Sequence, residues 1–295
     1  MFVQSIEKAA QFTRPIHSII RTYSGKKIIP GAATLFFVNE EGYAITCKHV
    51  AGLLSSSDNL NKQYSNFKTE RDKLPRDGQF KRNLKGLELK YKYTDETIIQ
   101  VKNTFIDCVD SMSGFTMHFH PKHDLAIIKF NDYKNLRYGS PAVFLKDSST
   151  IRQGEFLCRL GFPFPEFTNF KFNESTDDIE WTKEGITASP RFPIEGMVTR
   201  FLADENKLFG IELSTPGLKG QSGGPLFNKD GIVYGMQFST KHLHLGFDIM
   251  NKEIMVNNTI KKVSDYSFIH LGQCIHVDTI KEFLKEKNVK YYEQE

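Results

Sequence analysis

Gly217-Leu218-Lys219-Gly220-Gln221-Ser222-Gly223-Gly224-Pro225-Leu226-Phe227 sets one serine among four glycines and a proline, then returns at once to apolar, strand-like sequence. Glycines on both sides of the serine let the backbone turn sharply and let amide N–H groups point into a common space beside the hydroxyl. Acyl transfer needs that combination, a nucleophilic Oγ next to a preformed hole for an oxyanion. A Gly-rich turn with no chemistry looks the same. A base and an orienting acid elsewhere in the chain separate the two readings.

Both occur upstream. Ala44-Ile45-Thr46-Cys47-Lys48-His49-Val50 is a short apolar run reaching a histidine, and His123-Asp124-Leu125-Ala126-Ile127-Ile128-Lys129 opens a strand-like run with an aspartate. The order His49, Asp124, Ser222 is one of three chain orders in which a hydrolytic triad is found. At this point the chain resembles a trypsin-like (chymotrypsin-fold) serine peptidase, and within that superfamily the bacterial HtrA-like protease domain. The matching pieces are residues 33–50, 123–129, 220–227 and 272–281, in the right order and separated by long unmatched loops.

The resemblance implies an all-β fold of two antiparallel six-stranded β-barrels, with the active site in the cleft between them and a C-terminal helix. It implies a serine endopeptidase acting on polypeptide substrates through an acyl-enzyme. Ser222 would be the nucleophile, His49 the base, Asp124 the acid that holds the base, and the backbone N–H groups of Gly220 and Ser222 the oxyanion donors. Pro216, Phe238, Ser239 and Thr240 would line the substrate pocket. Pro216 stands where trypsin has its acidic residue, which argues against a Lys/Arg preference. Gln237 stands where glutamyl-specific and picornaviral relatives have a histidine, so an apolar or small side chain is the expected preference. No cofactor is implied. The alternative is a catalytically inactive trypsin-fold module that binds a partner without cleaving it.

Composition is ordinary for a soluble globular protein and excludes other classes. The chain has 295 residues, 25% charged and 39% apolar, enough for a substantial core. A net charge of +4 is too mild to argue for nucleic acid or a membrane surface. Glu7 and Lys8 interrupt the segment where a secretory signal would have its apolar core, and no apolar run approaches a membrane span, so a cytoplasmic location is expected. Cys47, Cys108, Cys158 and Cys274 are too sparse for a disulfide framework and are expected as buried thiols. Secreted trypsin relatives usually bridge a cysteine next to the catalytic histidine; Cys47, two residues before His49, departs from that pattern. No Ile-Val-Gly-Gly start is present, so activation by trimming is not expected.

In chain order, residues 1–14 are read as an N-terminal segment with a short amphipathic helix. Residues 15–147 form the first barrel, carrying His49 and Asp124. A polar, basic stretch over 54–95 reads as a solvated surface insertion. His118, His120 and His123 lack the cysteine or carboxylate pattern of a zinc set and read as packing or surface residues, so no metal is expected. Residues 148–295 form the second barrel, carrying Ser222. Residues 164–192 read as a long loop over or beside the cleft. Residues 241–268 read as another excess loop, with His242 and His244 as exposed polar positions. Asp278 is expected to cap a helix over Thr279–Glu286. The three long insertions offer places where an activating protein partner or the substrate would release a latent site.

Overall fold

The computed structural model describes residues 1–295. Helix α1 (Val3–Phe12) turns Ala9 and Phe12 into the core, as the apolar spacing predicts. The first sheet follows from β1 (Thr13–Thr22), β2 (Ile29–Phe37), β3 (Tyr43–Thr46), β4 (Ile98–Phe105), β5 (Gly114–Phe119) and β6 (Ala126–Asn131), in the order β4-β1-β2-β3-β6-β5. All five pairings are antiparallel. The β2–β3 hairpin turns on Gly42 at φ 79°, as its sequence predicts. The sheet curls until its two edges meet through side chains. Phe105 of β4 packs edge-on against Phe115 of β5 with ring centroids 5.3 Å apart.

The stretch between β3 and β4 is a helical hairpin, α2 (Lys48–Asp72) and α3 (Phe80–Tyr91). The two-barrel frame is mostly β as expected, and the stretch read as a solvated surface insertion is helical. Leu54, Tyr64 and Phe67 recur on one side of α2 and are buried.

The second half contains β7 (Val143–Phe144), β8 (Phe156–Gly161), β9 (Phe170–Asn173), β10 (Asp178–Trp181), β11 (Phe192–Asp204), β12 (Lys207–Leu213), β13 (Pro225–Phe227), β14 (Val233–His244), β15 (Ile249–Val256), β16 (Thr259–Asp265), β17 (Phe268–His276) and β18 (Tyr292–Glu293). Six of these run β13-β8-β11-β12-β17-β14, and β13 also pairs with β14, so the ring closes. Closure removes the edges on which other chains could pair. Short parallel pairings add β7 to β14 and β18 to β7, a departure from the purely antiparallel pattern. The hairpins β9–β10 and β15–β16 stand outside the ring.

One apolar core joins the halves. Phe36, Phe37 and Phe130 enter it from the first sheet, Leu160, Leu226 and Ile275 from the second. Phe36 and Phe144 meet with centroids 6.3 Å apart. All four cysteines are buried free thiols. Helix α4 (Val277–Glu286) buries Ile280, Phe283 and Leu284 as expected, but it starts two residues earlier than its sequence suggests. The cap therefore falls on His276, whose Nδ1 accepts the Asp278 N–H at 3.2 Å, and not on Asp278.

Candidate active site

Strand β3 delivers the chain to Cys47, which is extended, and α2 begins at the next residue. His49 thus sits in the first turn of a helix, where backbone N–H groups have no intrahelical partner. Asp124, just before β6, uses both carboxylate oxygens there. Oδ2 lies 2.6 Å from His49 Nδ1, and Oδ1 accepts the His49 N–H at 2.9 Å. One carboxylate therefore orients the imidazole and caps α2, with its negative charge at the positive end of the helix. Burial pushes the Asp124 carboxyl up, but the hydrogen bonds from the His49 ring and N–H outweigh this and hold it below its ordinary value. Lys48 Nζ donates to the His120 carbonyl at 2.9 Å, tying the aspartate's loop to the same turn. With Nδ1 so engaged, Nε2 is left without a protein partner, and His49 and Ser222 line the same cleft.

The serine loop is braced from both halves. Thr34 of β2 donates its N–H to the Ser222 carbonyl at 3.0 Å and its hydroxyl to the Gly220 carbonyl at 2.7 Å. Gln221, fully buried, accepts the Leu218 N–H at 3.0 Å and donates to the Phe192 carbonyl at 3.0 Å. Gly220 and Gly223 both have positive φ, at 92° and 88°, and neither leaves room for a side chain. A Cβ at Gly223 would lie 2.0 Å from the Thr34 carbonyl oxygen, and one at Gly220 would lie 2.6 Å from that of Phe162. The N–H groups of Gln221, Gly223 and Gly224 are all spent on carbonyls. Those of Gly220 and Ser222 are not, which leaves two amide donors beside the hydroxyl. No hydrogen bond joins Ser222 Oγ to the imidazole.

Two cavities meet at His49 and Ser222. One, of about 250 Å³, is walled by Ile16, Ile20, Ala32, Val50, Leu53 and Leu54 and reaches Gly220. The other, of about 480 Å³, takes in the four residues expected there, Pro216, Phe238, Ser239 and Thr240. It also takes in His242 and His270; His242 is exposed, as its sequence suggests, and stands at the cleft. Residues 164–192 border neither cavity. The β9–β10 hairpin packs on β1 and α2 instead, with Asp177 2.9 Å from Arg21 and 3.0 Å from Arg71, so the loop expected near the cleft is not a cover for Ser222.

Cys47 Sγ, His49 and Asp124 lie within 4.8 Å of one another, close enough on distance alone to hold a metal ion. Their chemistry argues otherwise. Burial pushes the Cys47 thiol well above its ordinary value, and it donates to the Gln237 carbonyl at 3.3 Å. A metal would need the thiolate and a free carboxylate oxygen, and both are committed. His120 and His123 serve packing and local hydrogen bonds. His120 Nδ1 accepts the His123 N–H at 2.9 Å, and His123 stacks on Phe209 at 4.8 Å; burial lowers both imidazoles.

Sequence reasoning missed Thr34, Gln221 and the helix-capping duty of Asp124. Thr34 and Gln221 lay inside the quoted motifs, but their bonds reach residues far along the chain, and no local pattern announces them.

The family model described as the trypsin-like peptidase domain matches residues 33–236. Among solved structures, "HtrA-type protease AlgW with tripeptide" is 15% identical with a TM-score of 0.46, covering 97% of this chain and 63% of that one. A variant of the same protease with decapeptide is 12% identical, also at 0.46, covering 98% of this chain and 68% of that one. The chain thus spans less than two thirds of the length of the first of these. No curated protein matches it in sequence.

Proposed function

Because the chain belongs to the trypsin-like peptidase family, we propose that it is a serine endopeptidase. Residues 15–147 then make the half that supplies base and acid, residues 148–295 the half that supplies the nucleophile, and residues 1–14 a leading segment. Ser222 Oγ attacks the scissile carbonyl carbon. Nε2 of His49 takes the hydroxyl proton and returns it to the leaving amine. Asp124 keeps Nδ1 occupied and stabilises the imidazolium that forms. The oxyanion lies against the unspent N–H groups of Gly220 and Ser222, a contact whose loss typically costs about 10²–10³-fold in turnover. Water then repeats the sequence on the acyl-enzyme.

The observation that carries this reading is the meeting of two cavities at one hydroxyl and one imidazole. A polypeptide laid across both has a backbone carbonyl at Ser222 and a side chain to either side, as an endopeptidase requires. The test is cleavage of an unfolded protein by the full chain. Ser222→Ala and His49→Ala are each expected to lower it by about 10⁴-fold or more. Undiminished cleavage by Ser222→Ala overturns the scheme.

The absent bond between Ser222 Oγ and the imidazole favours a second, gated reading, in which substrate or a protein partner draws the pair together. Under it, labelling of Ser222 by a fluorophosphonate rises when peptide is added. Labelling that peptide does not change sinks gating, and an unlabelled serine under all conditions favours the inactive binding module.

A further inference from the structure

Lys219 puts a positive charge at the rim of the larger cavity beside Ser222. Lys219, His242 and His270 line it, together with the polar side chains of Gln237, Ser239 and Thr240, and no carboxylate borders it. His242 and His270 face each other across the β14–β17 pairing with Nδ1 atoms 2.6 Å apart. Both Nε2 atoms remain without a protein partner.

Behind the cavity wall lies a second source of charge. Arg159 of β8 is wholly buried. Its Nη1 donates to Gln237 Oε1 at 2.7 Å, and its Nη2 donates to the Thr215 hydroxyl at 2.6 Å and the Thr215 carbonyl at 3.1 Å. Its Nε–H has no partner at all. The ionisable groups nearest it are Cys158 and Cys274, thiols that burial pushes up to about 12 and so keeps neutral. A buried cation without a counter-ion is costly to hold, and a site built around one is built for an anion. The guanidinium also fixes the amide of Gln237. With Oε1 drawn to Arg159, the Nε2 end turns toward the cavity, where it donates to the Ser239 carbonyl at 2.6 Å. A Cβ on Gly217 would come within 2.1 Å of that nitrogen, so only glycine leaves room for it beside the cavity.

We propose that this cavity takes an acidic side chain, aspartate or glutamate, of the polypeptide beside the cleaved bond. Lys219, His242 and His270 meet its carboxylate at the rim, and Arg159 favours it from behind through the oriented amide of Gln237. Arg159 is thus a positioning residue, and Gln237, His242 and His270 are the contacts. The apolar preference expected from Pro216 and Gln237 gives way because the charge sits on a strand, β8, that the motif does not include. The inference rests on the peptidase reading, and its test is chosen to fail separately.

Binding of two fluorescent decapeptide pools is measured on the full chain carrying Ser222→Ala, which needs no turnover. One pool has a single glutamate and the other a glutamine at the same positions. The glutamate pool is expected to bind at least about tenfold more tightly near physiological salt. Arg159→Gln is expected to bring the two pools within about twofold of each other. Because the loss of Arg159 endangers the core, His270→Leu at the exposed rim is the second variant, expected to cut the ratio by about threefold with the fold unchanged by circular dichroism. Equal binding of the two pools, or a ratio that neither variant moves, overturns the proposal. If wild-type chain cleaves protein yet binds the pools equally, the pocket assignment falls and the peptidase reading stands. If the glutamate preference holds and nothing is cleaved, the pocket stands and the reading of hydrolysis falls.

Discussion

The helical hairpin of α2 and α3 and the ribbon of β15 and β16 are both additions to the two six-stranded frames, and they meet those frames differently. The hairpin brings a core of its own. Tyr64, Phe67, Leu87, Tyr93 and Ile99 form a separate apolar cluster, against which Tyr23, just after β1, packs edge-on to Phe67 at 5.5 Å. It also brings charge: Asp177, at the tip of the β9–β10 hairpin, accepts the Tyr64 hydroxyl at 2.7 Å and pairs with Arg71 and the buried Arg21. Two insertions far apart in sequence are thereby clasped to each other and to β1. The ribbon has apolar side chains too, yet Met250, Met255 and Ile260 are exposed and its strands pair only with each other. An insertion adds to stability only when the frame gives its apolar side chains somewhere to go.

The sharpest way to break this contrast is Phe67→Ala. Phe67 is fully buried and touches four tyrosine rings, Tyr23, Tyr64, Tyr91 and Tyr93. Removing it leaves a ring-sized void that the surrounding tyrosines cannot close, so a loss of about 3–5 kcal/mol is expected in urea unfolding. A loss under about 1 kcal/mol would mean that the hairpin is no better seated than the ribbon.

The same contrast explains what could be read in the sequence. The chemistry of residues 220–225 is written in consecutive positions, because a turn flanked by glycines is a local object. His49 and Asp124 were legible for the same reason, each beside its own strand. The helix that carries His49 was not, because its inward face is partly polar. Asn61 lies on that face and pairs both ends of its amide with the Val101 backbone, donating at 2.8 Å and accepting at 3.0 Å. A side chain that satisfies a strand edge looks, in sequence, like solvated surface. Arg159 was hidden for the opposite reason, since a lone arginine in an apolar strand gives no hint that its partners arrive only with Thr215 and Gln237. His242 and His270 meet by strand register alone, across the stretch read as a loop.

The second insertion offers a smaller and pH-dependent effect. His17 of β1 is fully buried, stacked on Phe167 at 4.0 Å and bonded to Ser189 at 2.9 Å, while its Nδ1 has no partner. Burial lowers its pKa from 6.5 to about 4. In the unfolded chain the imidazole takes up a proton first, so stability is full above about pH 6.5 and is lost as pH falls toward about 4. The contribution is roughly 3 kcal/mol. His17→Gln keeps the hydrogen bond to Ser189 and removes the titration. Its unfolding free energy is therefore expected to fall less than that of the parent chain between pH 6.5 and 4. Parallel pH profiles would show that the clasp of residues 164–192 on β1 is not sensitive to this proton.

The smallest effect is expected from the ribbon, and it is the one that tests the contrast from its other side. Met255 and Ile260 stand directly opposite each other, 72% and 63% exposed. Met255→Lys with Ile260→Glu replaces an exposed apolar pair by an opposite-charge pair at the same cross-strand position. Nothing buried is lost, and an exposed cross-strand pair of this kind contributes roughly 0.2–1 kcal/mol. Stability should therefore stay within about 0.5 kcal/mol of the parent chain. Cleavage should be unchanged as well, because His242 and His270 are held by the β14–β17 register and not by the ribbon beyond it. A loss above about 1.5 kcal/mol would mean that these side chains are covered in solution. The ribbon would then be a seated element like the helical hairpin, and the distinction between the two insertions would fail.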